Sequence, residues 1–375
     1  MNPVHCPMIH GGLQLYLKQD HSTILANQCC LRDDLVEVTD TEDIFNNPKL
    51  TALRTLNNTQ QWDSGCANCR QLENAQLPSF RTGTLAKFGE QTDYNGPIRL
   101  DLMFDRSCNL ACRTCGPNAS SYWQKHLKDN GEWSGSIDQL QRSDEVIGLL
   151  KNINLSQLEM IVFCGGETLM GNAYWEVADA IAGLIPNCRD QVTLCFQTNG
   201  TQPIDRANFK IIEKYKLVKL HISCDGTGDT FNYLRWPATF DQFFANILTI
   251  RNRVPNNVMF LVEQTISIFN FSTIHQLTDL ANGFAANRDG DPVEITAHLA
   301  NGIYSLESMT QEYYDAMLKT NYSGLLPKNF VENPKRIKTM IAEIQKVDQW
   351  RNQNWLTTFP DLAVYYNRYL PQSPK

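Results

Sequence analysis

The sequence is poor in several features that mark whole classes of protein. Only 19% of its 375 residues are charged, below the ~25% of an average chain, and 42% are hydrophobic. This composition argues against intrinsic disorder. No apolar run approaches the ~20 residues that cross a bilayer. Residues 1–12 lack the basic stretch and apolar run of a signal peptide, so we expect a cytoplasmic protein without a membrane partner.

The sequence also has no excess of basic charge. Its 33 Lys and Arg residues stand against 40 Asp and Glu residues, a formal net charge of −7. This balance disfavours a nucleic-acid partner, although a local basic patch is compatible with it. No internal repeat or low-complexity tract is present. The length predicts about two to three domains.

Cysteine is abundant, and its positions are uneven. Eight of the 12 cysteines lie in the first third of the chain, and five of those eight form two tight groups. Without a signal peptide, a disulfide framework explains them poorly. Short cysteine spacings in a cytosolic chain favour metal binding or redox chemistry instead. The two groups are Cys66 with Cys69, and Cys108 with Cys112 and Cys115.

From about residue 96 to residue 304, apolar runs alternate with amphipathic stretches. The runs span residues 98–104, 158–164, 191–198, 217–224, 258–269 and 293–300. The helical stretches include residues 174–184, 208–215, 240–251 and 274–284. Six such units predict an α/β fold with a parallel sheet and right-handed crossovers. The sheet is either doubly wound or a partial barrel related to the eight-stranded one.

Several predicted strands are polar at every second residue. The polar residues of one face are Gln197 and Asn199; His221, Ser223 and Asp225; Glu263, Thr265 and Ser267; and Thr296 and His298. Parallel strands that are buried on both faces read as nearly continuous hydrophobic runs. The repeated polar face therefore predicts a wet barrel interior, with scattered strand-end polarity as the alternative. Glu263 and His298 are candidates for proton transfer there, and Cys195 is a candidate hydrogen donor.

The two ends of the chain differ from its centre. Residues 1–95 predict a hairpin over residues 11–30 and a helix over residues 50–58, with few large apolar residues. Small units of this kind are commonly held together by a metal. Residues 305–375 predict a helical, aromatic segment that packs on the sheet or closes its open side.

The tightest cysteine group has the spacing C-x3-C-x2-C and follows the first predicted strand of the α/β region. Loops at the carboxyl ends of parallel strands are where such folds place their sites. Three thiolates are one short of a closed structural zinc site. On a [4Fe–4S] cluster, three cysteines leave one iron open for a chelating molecule. Zinc with a remote fourth ligand, or free buried thiols, remains the alternative at this point.

This motif, followed by Gly165-Gly166-Glu167 after the second strand, resembles the radical S-adenosylmethionine (SAM) enzymes. The resemblance implies that Cys108, Cys112 and Cys115 hold a [4Fe–4S] cluster whose open iron binds SAM. An electron from the cluster would cleave SAM to methionine and a 5′-deoxyadenosyl radical, which abstracts a substrate hydrogen. The cofactor supplies that chemistry, and the protein supplies placement and the exclusion of water.

The resemblance continues along the later strands. It implies that Gly165, Gly166 and Glu167 receive the SAM ammonium and that Gln197 and Asn199 lie on its ribose side. Ser223, Asp225 and Arg235 are similar to an S-x-D-G…R pattern in which the arginine pairs with the SAM carboxylate. Thr265 matches the strand beside the adenosine. The sequence departs from the family at Thr114, where many members have an aromatic residue, and this weakens the expected adenine contact.

The N-terminal cysteines resemble a twitch/SPASM-type auxiliary iron–sulfur domain, here placed before the core. The matching residues are Cys6, Cys29 or Cys30, Trp62, Gly65, Cys66, Cys69 and Glu73. Four thiolates would fully ligate a second [4Fe–4S] cluster, which favours electron transfer over direct substrate binding. A four-cysteine zinc site is the alternative. Cys29 and Cys30 are adjacent and cannot both reach one metal comfortably, and we favour Cys29.

Together these matches predict a radical SAM enzyme in three parts. Residues 1–95 are the auxiliary domain, residues 96–304 are a partial (β/α)6 barrel, and residues 305–375 are a helical segment. We expect oxidative modification of a peptide or a small molecule, with an electron donor such as flavodoxin or ferredoxin. The alternatives are a redox-neutral epimerase or rearrangement enzyme, an RNA-modifying enzyme, and a zinc-stabilised binding module without turnover.

Overall fold

One continuous sheet of nine strands organises the protein. The computed structural model describes residues 4–17, 24–32, 34–38, 43–74, 76, 78–137, 142–277 and 293–370. The strands are β1 (Gly12–Leu17), β2 (Ile24–Asn27), β3 (Val36–Val38), β4 (Arg99–Met103), β5 (Met160–Phe163), β6 (Thr193–Thr198), β7 (Leu217–Ser223), β8 (Val258–Ile266) and β9 (Glu294–Leu299). Their order across the sheet is β3-β2-β1-β4-β5-β6-β7-β8-β9.

Strands β4 to β9 are parallel, and their order in the sheet follows their order in the chain. A doubly wound sheet reverses its strand order at a switch point, whereas consecutive order is that of a (β/α) barrel. The predictions of an α/β class and of a partial barrel are therefore confirmed. Each of the six predicted apolar runs forms one of these strands.

The N-terminal hairpin extends the same sheet. Strands β1 and β2 pair antiparallel, as predicted, and β1 pairs parallel with β4 from Gly12 beside Arg99 to Tyr16 beside Met103. The sheet is thus continuous across residue 95. The proposed domain boundaries at residues 95/96 and 304/305 stay predictions.

Among the described residues, helices precede, connect and follow the strands. They are α1 (Pro7–Gly11), α2 (Pro48–Asn58), α3 (Ala67–Asn74), α4 (Phe80–Phe88), α5 (Ser121–Asp129), α6 (Ser143–Leu150), α7 (Ala173–Leu184), α8 (Cys188–Gln191), α9 (Arg206–Ile212), α10 (Gly228–Leu234), α11 (Phe240–Arg253), α12 (Gln311–Met317), α13 (Pro334–Arg351), α14 (Trp355–Thr358) and α15 (Pro360–Tyr366). The predicted helices at residues 50–58, 174–184, 208–215 and 240–251 are confirmed. Part of the predicted helix at 274–284, from residue 278, lies outside the described residues.

The two faces of the parallel strands differ in burial. In β7 the residues Val218, Leu220 and Ile222 are buried in the main hydrophobic core, while the alternate residues are half-buried. Successive side chains on a strand point to opposite faces, so the helices cover the apolar face. His221 and Ser223 lie on the other face, which forms the barrel interior.

Helix α4 of the N-terminal region packs against this interior face. Phe88, its last residue, packs against Met160, Val162 and Cys195. Lys87 Nζ lies 3.5 Å from the Met160 sulfur. Met160 and Val162 belong to β5, and Cys195 belongs to β6. The N-terminal region therefore contributes to the barrel interior as well as to the sheet edge.

The C-terminal segment, residues 305–370, is helical as predicted. Its helices share a second hydrophobic core with Tyr233 and with residues 266–271, which end and follow β8. Since β8 ends at residue 266, the segment packs at the carboxyl end of the sheet.

None of the helices among the described residues is long and apolar enough to cross a membrane.

We predict that Phe196→Ala lowers the free energy of unfolding by about 3–5 kcal/mol, because a large buried ring leaves a cavity. The Phe196 side chain is fully buried, with its ring centroid 4.6 Å from that of Trp175 and 5.3 Å from that of Phe163. Urea unfolding measures the change. The control Val331→Ala, at a position 81% exposed, should change it by less than about 0.5 kcal/mol. Equal effects of the two variants would contradict this packing.

Candidate functional site

The three central cysteines lie in the cysteine loop, residues 104–120, between β4 and α5. Backbone bonds hold the loop against the end of α10: the Ala111 N–H donates to Trp236 O at 2.9 Å, and the Arg113 N–H donates to Leu234 O at 2.8 Å. Burial raises the pKa of Cys108 to about 11 and that of Cys112 to about 12. A metal that binds these thiols must therefore displace their protons.

The Gly-Gly-Glu motif braces the cysteine loop. The Gly166 N–H donates to Asp105 O at 3.1 Å, and the Glu167 N–H donates to Ser107 O at 2.7 Å. A Cβ on Gly165, whose φ is +132°, would lie 2.5 Å from Asp105 O, and one on Gly166 would lie 2.2 Å from Ser107 O. The glycines are required here because two backbones approach each other closely.

The Glu167 carboxylate is fully buried and joins the ends of β5 and β6. It accepts hydrogen bonds from Thr198 Oγ1 at 2.5 Å, from the Asn199 N–H at 2.6 Å and from the Leu169 N–H at 3.0 Å. Burial raises the pKa of Glu167, although these three donors oppose the change. The side chain is thus occupied by protein donors, and its expected contact with the SAM ammonium stays a prediction.

Asn199 connects the end of β6 to the first cysteine. Its Nδ2 lies 2.9 Å from Asn109 Oδ1 and 3.9 Å from Cys108 Sγ. Its Oδ1 accepts a hydrogen bond from the Thr201 N–H at 2.9 Å. Gln197, two residues earlier on the same strand face, is exposed. The two predicted ribose-side residues therefore lie on one face, with Asn199 beside the cysteine loop.

Arg235 lies between a carboxylate and the second cysteine. Its Nε is 2.7 Å from Asp225 Oδ2, and its Nη1 is 3.8 Å from Cys112 Sγ. Burial would lower the pKa of Arg235, but the negative charges of Asp225 and Cys112 raise it above its ordinary value. Asp225 also accepts from the Thr265 N–H at 2.8 Å. The guanidinium is therefore placed to compensate the charge of a Cys112 thiolate.

A second set of cysteines lines one cavity in the N-terminal region. The N-terminal cavity is bordered by Cys6, Cys29, Cys66 and Cys69, and its empty volume is about 570 Å³ including space open to solvent. Apolar side chains make up much of its wall, among them Val4, Ile9, Leu53, Leu56, Trp62 and Phe80. The four thiols predicted as a set thus share one cavity, with Cys29 as the member from the adjacent pair.

Two arginines flank these thiols. Arg32 Nη1 donates to Cys66 Sγ at 3.4 Å, and Arg32 Nη2 lies 2.7 Å from Asp63 Oδ1. A Cβ on Gly65 would lie 2.8 Å from the Arg32 guanidinium carbon. Arg81 pairs with Glu73, and its guanidinium lies 5.4 Å from the ring of Trp62. The predicted accessory residues Trp62 and Gly65 therefore line the same cavity, and Glu73 pairs with an arginine that lines it.

Cys30 has a different environment from Cys29. Cys29 is 8% exposed and lines the cavity, whereas Cys30 is exposed. The thiol of Cys30 interacts electrostatically with Asp101 and Arg99 of β4, and its hydrogen bond with Cys29 lowers its pKa. Cys30 therefore interacts with residues of β4 and is not among the thiols that line the cavity.

A row of titratable groups crosses β7, β8 and β9 on the interior face. Glu263 Oε1 lies 2.7 Å from His221 Nδ1, and Glu263 Oε2 lies 2.6 Å from His298 Nε2. Burial would lower the pKa of His221, but its bonds to Cys195 and Glu263 raise it to about 9. Burial would raise the pKa of Glu263, but the two histidines lower it to about 2. At neutral pH Glu263 and His221 are therefore an ion pair, and His298, whose pKa the same carboxylate raises, completes a hydrogen-bonded triplet of side chains.

Sequence reasoning placed Glu263 and His298 on this face but missed His221 as the partner between Cys195 and Glu263. The signal was present, because His221 shares the alternate polar positions of β7 with Ser223. It also missed Arg113 and Asp348, whose side chains pair across 235 positions. Among the described residues, no three His, Cys, Asp or Glu side chains are placed to hold a single metal ion.

A comparison with family models matches residues 103–281 to the Radical SAM superfamily. The matched range begins at the last residue of β4 and contains the cysteine loop, the Gly-Gly-Glu motif and β5 to β8. Just under half of the chain, residues 103–281, is therefore similar to this superfamily. No protein of curated function matches the chain.

Several solved structures match the chain at low identity and with TM-scores below 0.5. Native anSMEcpe with bound AdoMet is 17% identical, with a TM-score of 0.39 and coverage of 69% of this chain and 63% of that one. Streptococcus suis SuiB bound to precursor peptide SuiA is 12% identical, with a TM-score of 0.38 and coverage of 84% and 65%. The chain thus spans less than two thirds of the length of these structures.

We predict that Glu263→Gln lowers the pKa of His221 from about 9 toward its ordinary value of 6.5, since a charge that favours the imidazolium is lost. Histidine side-chain NMR over a pH series measures this. Because the pKa of His221 is higher in the folded than in the unfolded state, its protonation stabilises the folded protein. This contribution is complete below pH 6.5 and is lost as pH rises through about 9. The stability difference between wild type and variant should therefore shrink over that window. Exposed Glu213→Gln is the control, and an unchanged His221 titration in Glu263→Gln would contradict the triplet.

Proposed function

We propose that this protein is a radical SAM enzyme that abstracts a hydrogen atom from a peptide or small-molecule substrate. The observation that carries the proposal is the cysteine loop. It presents three thiols at the carboxyl end of β4, inside the range matched to the Radical SAM superfamily, and the Gly-Gly-Glu motif holds it there.

The donor set of the loop fits a cluster with one open iron. Cys108, Cys112 and Cys115 are soft thiol ligands, and Arg235 is placed to offset the charge of one of them. When bound, a [4Fe–4S] cluster of this kind supplies the electron that splits SAM into methionine and the radical that attacks the substrate. The chain itself would bind SAM, orient it and keep water out of the barrel interior.

The proposed SAM-binding residues divide by accessibility. Gln197 is exposed and Ser223 and Thr265 are half-buried on the interior face, so their side chains are open to a ligand. Glu167, Asp225 and Arg235 are buried and bonded to protein groups. We propose that this second group acts by fixing the loops around SAM, together with Gly165, Gly166 and Asn199.

We propose that the N-terminal cavity holds a second [4Fe–4S] cluster through Cys6, Cys29, Cys66 and Cys69. Four thiols on an apolar wall with two arginines suit a fully ligated, negatively charged cluster. The cavity cysteines adjoin the amino end of β4, where Gly12 pairs with Arg99, and the core cysteines follow its carboxyl end. A five-residue strand spans about 13 Å. The two sites therefore lie toward opposite ends of β4, and we propose that the substrate binds in the barrel interior beside this strand.

The net reaction we propose is an oxidation. A substrate radical that gives an electron to the N-terminal site also releases a proton, so the reaction balances as the loss of one hydrogen atom, one proton and one electron. Electrons for SAM cleavage would come from a donor such as flavodoxin or ferredoxin in the cytoplasm. The interior triplet of His221, Glu263 and His298 offers hydrogen-bonding groups to a polar part of the substrate.

The first test is the formation of 5′-deoxyadenosine. We predict that the reconstituted protein forms it from SAM and dithionite, and that Cys112→Ala does not, because the loop loses one of its three cluster ligands. Chromatography with mass detection measures the product. Cys188→Ala removes a buried thiol of α8 outside both sites and should retain product formation. Iron-loaded wild-type protein that forms no 5′-deoxyadenosine would overturn the proposal.

The second test separates the adjacent cysteines. We predict about eight irons per chain in the wild type, about half that number in Cys29→Ala, and the full number in Cys30→Ala, because only the Cys29 side chain lines the cavity. Iron, sulfide and zinc analysis after anaerobic reconstitution measures this. Loss of iron in Cys30→Ala with retention in Cys29→Ala would reverse the ligand assignment. One zinc in place of four irons would support a structural site.

A further inference from the structure

A buried arginine lies inside the cysteine motif itself. Arg113 follows Cys112 directly in the sequence. Its side chain is fully buried and pairs with Asp348 of α13. Its Nη2 also donates to Gln353 Oε1 at 3.1 Å, and its guanidinium carbon lies 4.2 Å from the ring centroid of Tyr233. The middle of the motif is therefore anchored to the C-terminal segment, more than 230 positions away.

Asp348 is the centre of this anchor. Besides Arg113, it accepts from the Tyr233 hydroxyl at 2.9 Å and from the Trp355 N–H at 2.7 Å. The residue is 5% exposed, so its charge is compensated by these protein donors. A carboxylate that collects three donors from three parts of the chain fixes their relative positions.

A second arginine of α13 reaches the same loop. Arg351 Nη2 donates to Ala111 O at 2.8 Å, and its guanidinium lies 4.6 Å from the ring of Trp123 and 4.7 Å from that of Trp236. Trp123 Nε1 in turn donates to Cys112 O at 2.8 Å. Helix α13 therefore holds the loop on both sides of Cys112, at residues 111 and 113.

We propose that Asp348, acting through Arg113, is a positioning residue for the core cysteines, and that α13 holds Cys112 in the geometry a cluster needs. The inference rests on the proposed function for the identity of the ligand, but the contacts of Asp348 and Arg113 involve only protein groups. Groups that orient metal ligands typically contribute 10- to 100-fold to metal affinity or activity. Removing one partner of a buried ion pair also leaves the other charge uncompensated.

The test compares Asp348→Asn with Glu343→Gln. Both variants change a carboxylate to an amide on the same helix, but Glu343 is about one-third exposed and pairs with Lys346. We expect Asp348→Asn to lose iron from the core site to a chelator about 10- to 100-fold faster than wild type. Iron in the N-terminal cavity should leave at the wild-type rate. EPR distinguishes the sites, because only the core signal should change when SAM is added.

The two sites serve as internal controls for each other. Faster loss from both sites in Asp348→Asn would indicate a general loss of stability and would overturn the positioning role. Loss from the core site at the rate seen in Glu343→Gln would overturn it as well. The wild-type change of the core EPR signal on SAM addition should be diminished in Asp348→Asn and preserved in Glu343→Gln.

A cofactor-independent measurement separates this inference from the proposed function. Hydrogen–deuterium exchange of the metal-free full chain should be at least about tenfold faster across residues 108–116 in Asp348→Asn, with β5 and β6 unchanged. If the protein binds no iron but shows this exchange, the anchor stands and the proposed function fails. If iron binds normally and exchange of the loop is unchanged, the anchor fails and the proposed function stands.

Discussion

The structure depends on the contact between two backbones at the carboxyl ends of β4 and β5. The Gly-Gly-Glu segment and the cysteine loop lie so close that Gly165 and Gly166 have no room for a side chain. This contact puts the cysteine loop beside the Glu167 carboxylate, which in turn fixes the end of β6. The carboxyl ends of β4, β5 and β6 are thereby held in one arrangement, and this arrangement determines where the thiols of the cysteine loop lie.

Charge compensation is the second requirement of both thiol sets. Buried thiols resist ionisation, as the raised pKa of Cys108 and Cys112 shows, and a ligand must bind their charged form. Each set has a guanidinium near one of its sulfurs, Arg235 at Cys112 and Arg32 at Cys66. Each guanidinium also pairs with a carboxylate that orients it. The two sites are thus built on the same electrostatic plan in unrelated parts of the chain.

The sequence predicted those features that depend on local pattern. Apolar runs that alternate with amphipathic stretches located all six strands of the barrel, and spacing located the cysteine groups. Contacts between distant residues could not be predicted, because no periodicity encodes them: the pairing of Arg113 with Asp348 and the parallel pairing of β1 with β4 are examples. The Gly-Gly-Glu motif was found for its pattern, yet the contacts of Glu167 with Thr198 and Asn199 needed the fold. The choice between Cys29 and Cys30 likewise depends on which way each side chain points.

The pairing of β1 with β4 also bears on the solubility of an incomplete barrel. A barrel that does not close leaves two strands with free backbone groups, which invite other chains to add to them. Here the hairpin extends the sheet beyond β4, so that the edge strand on this side is β3. This strand has three residues and carries Glu37 at its centre. A short, charged terminal strand is a poor template for self-association. The N-terminal residues that bring Cys6 and Cys29 to the barrel thus also give this edge of the sheet a strand that pairs poorly with another chain.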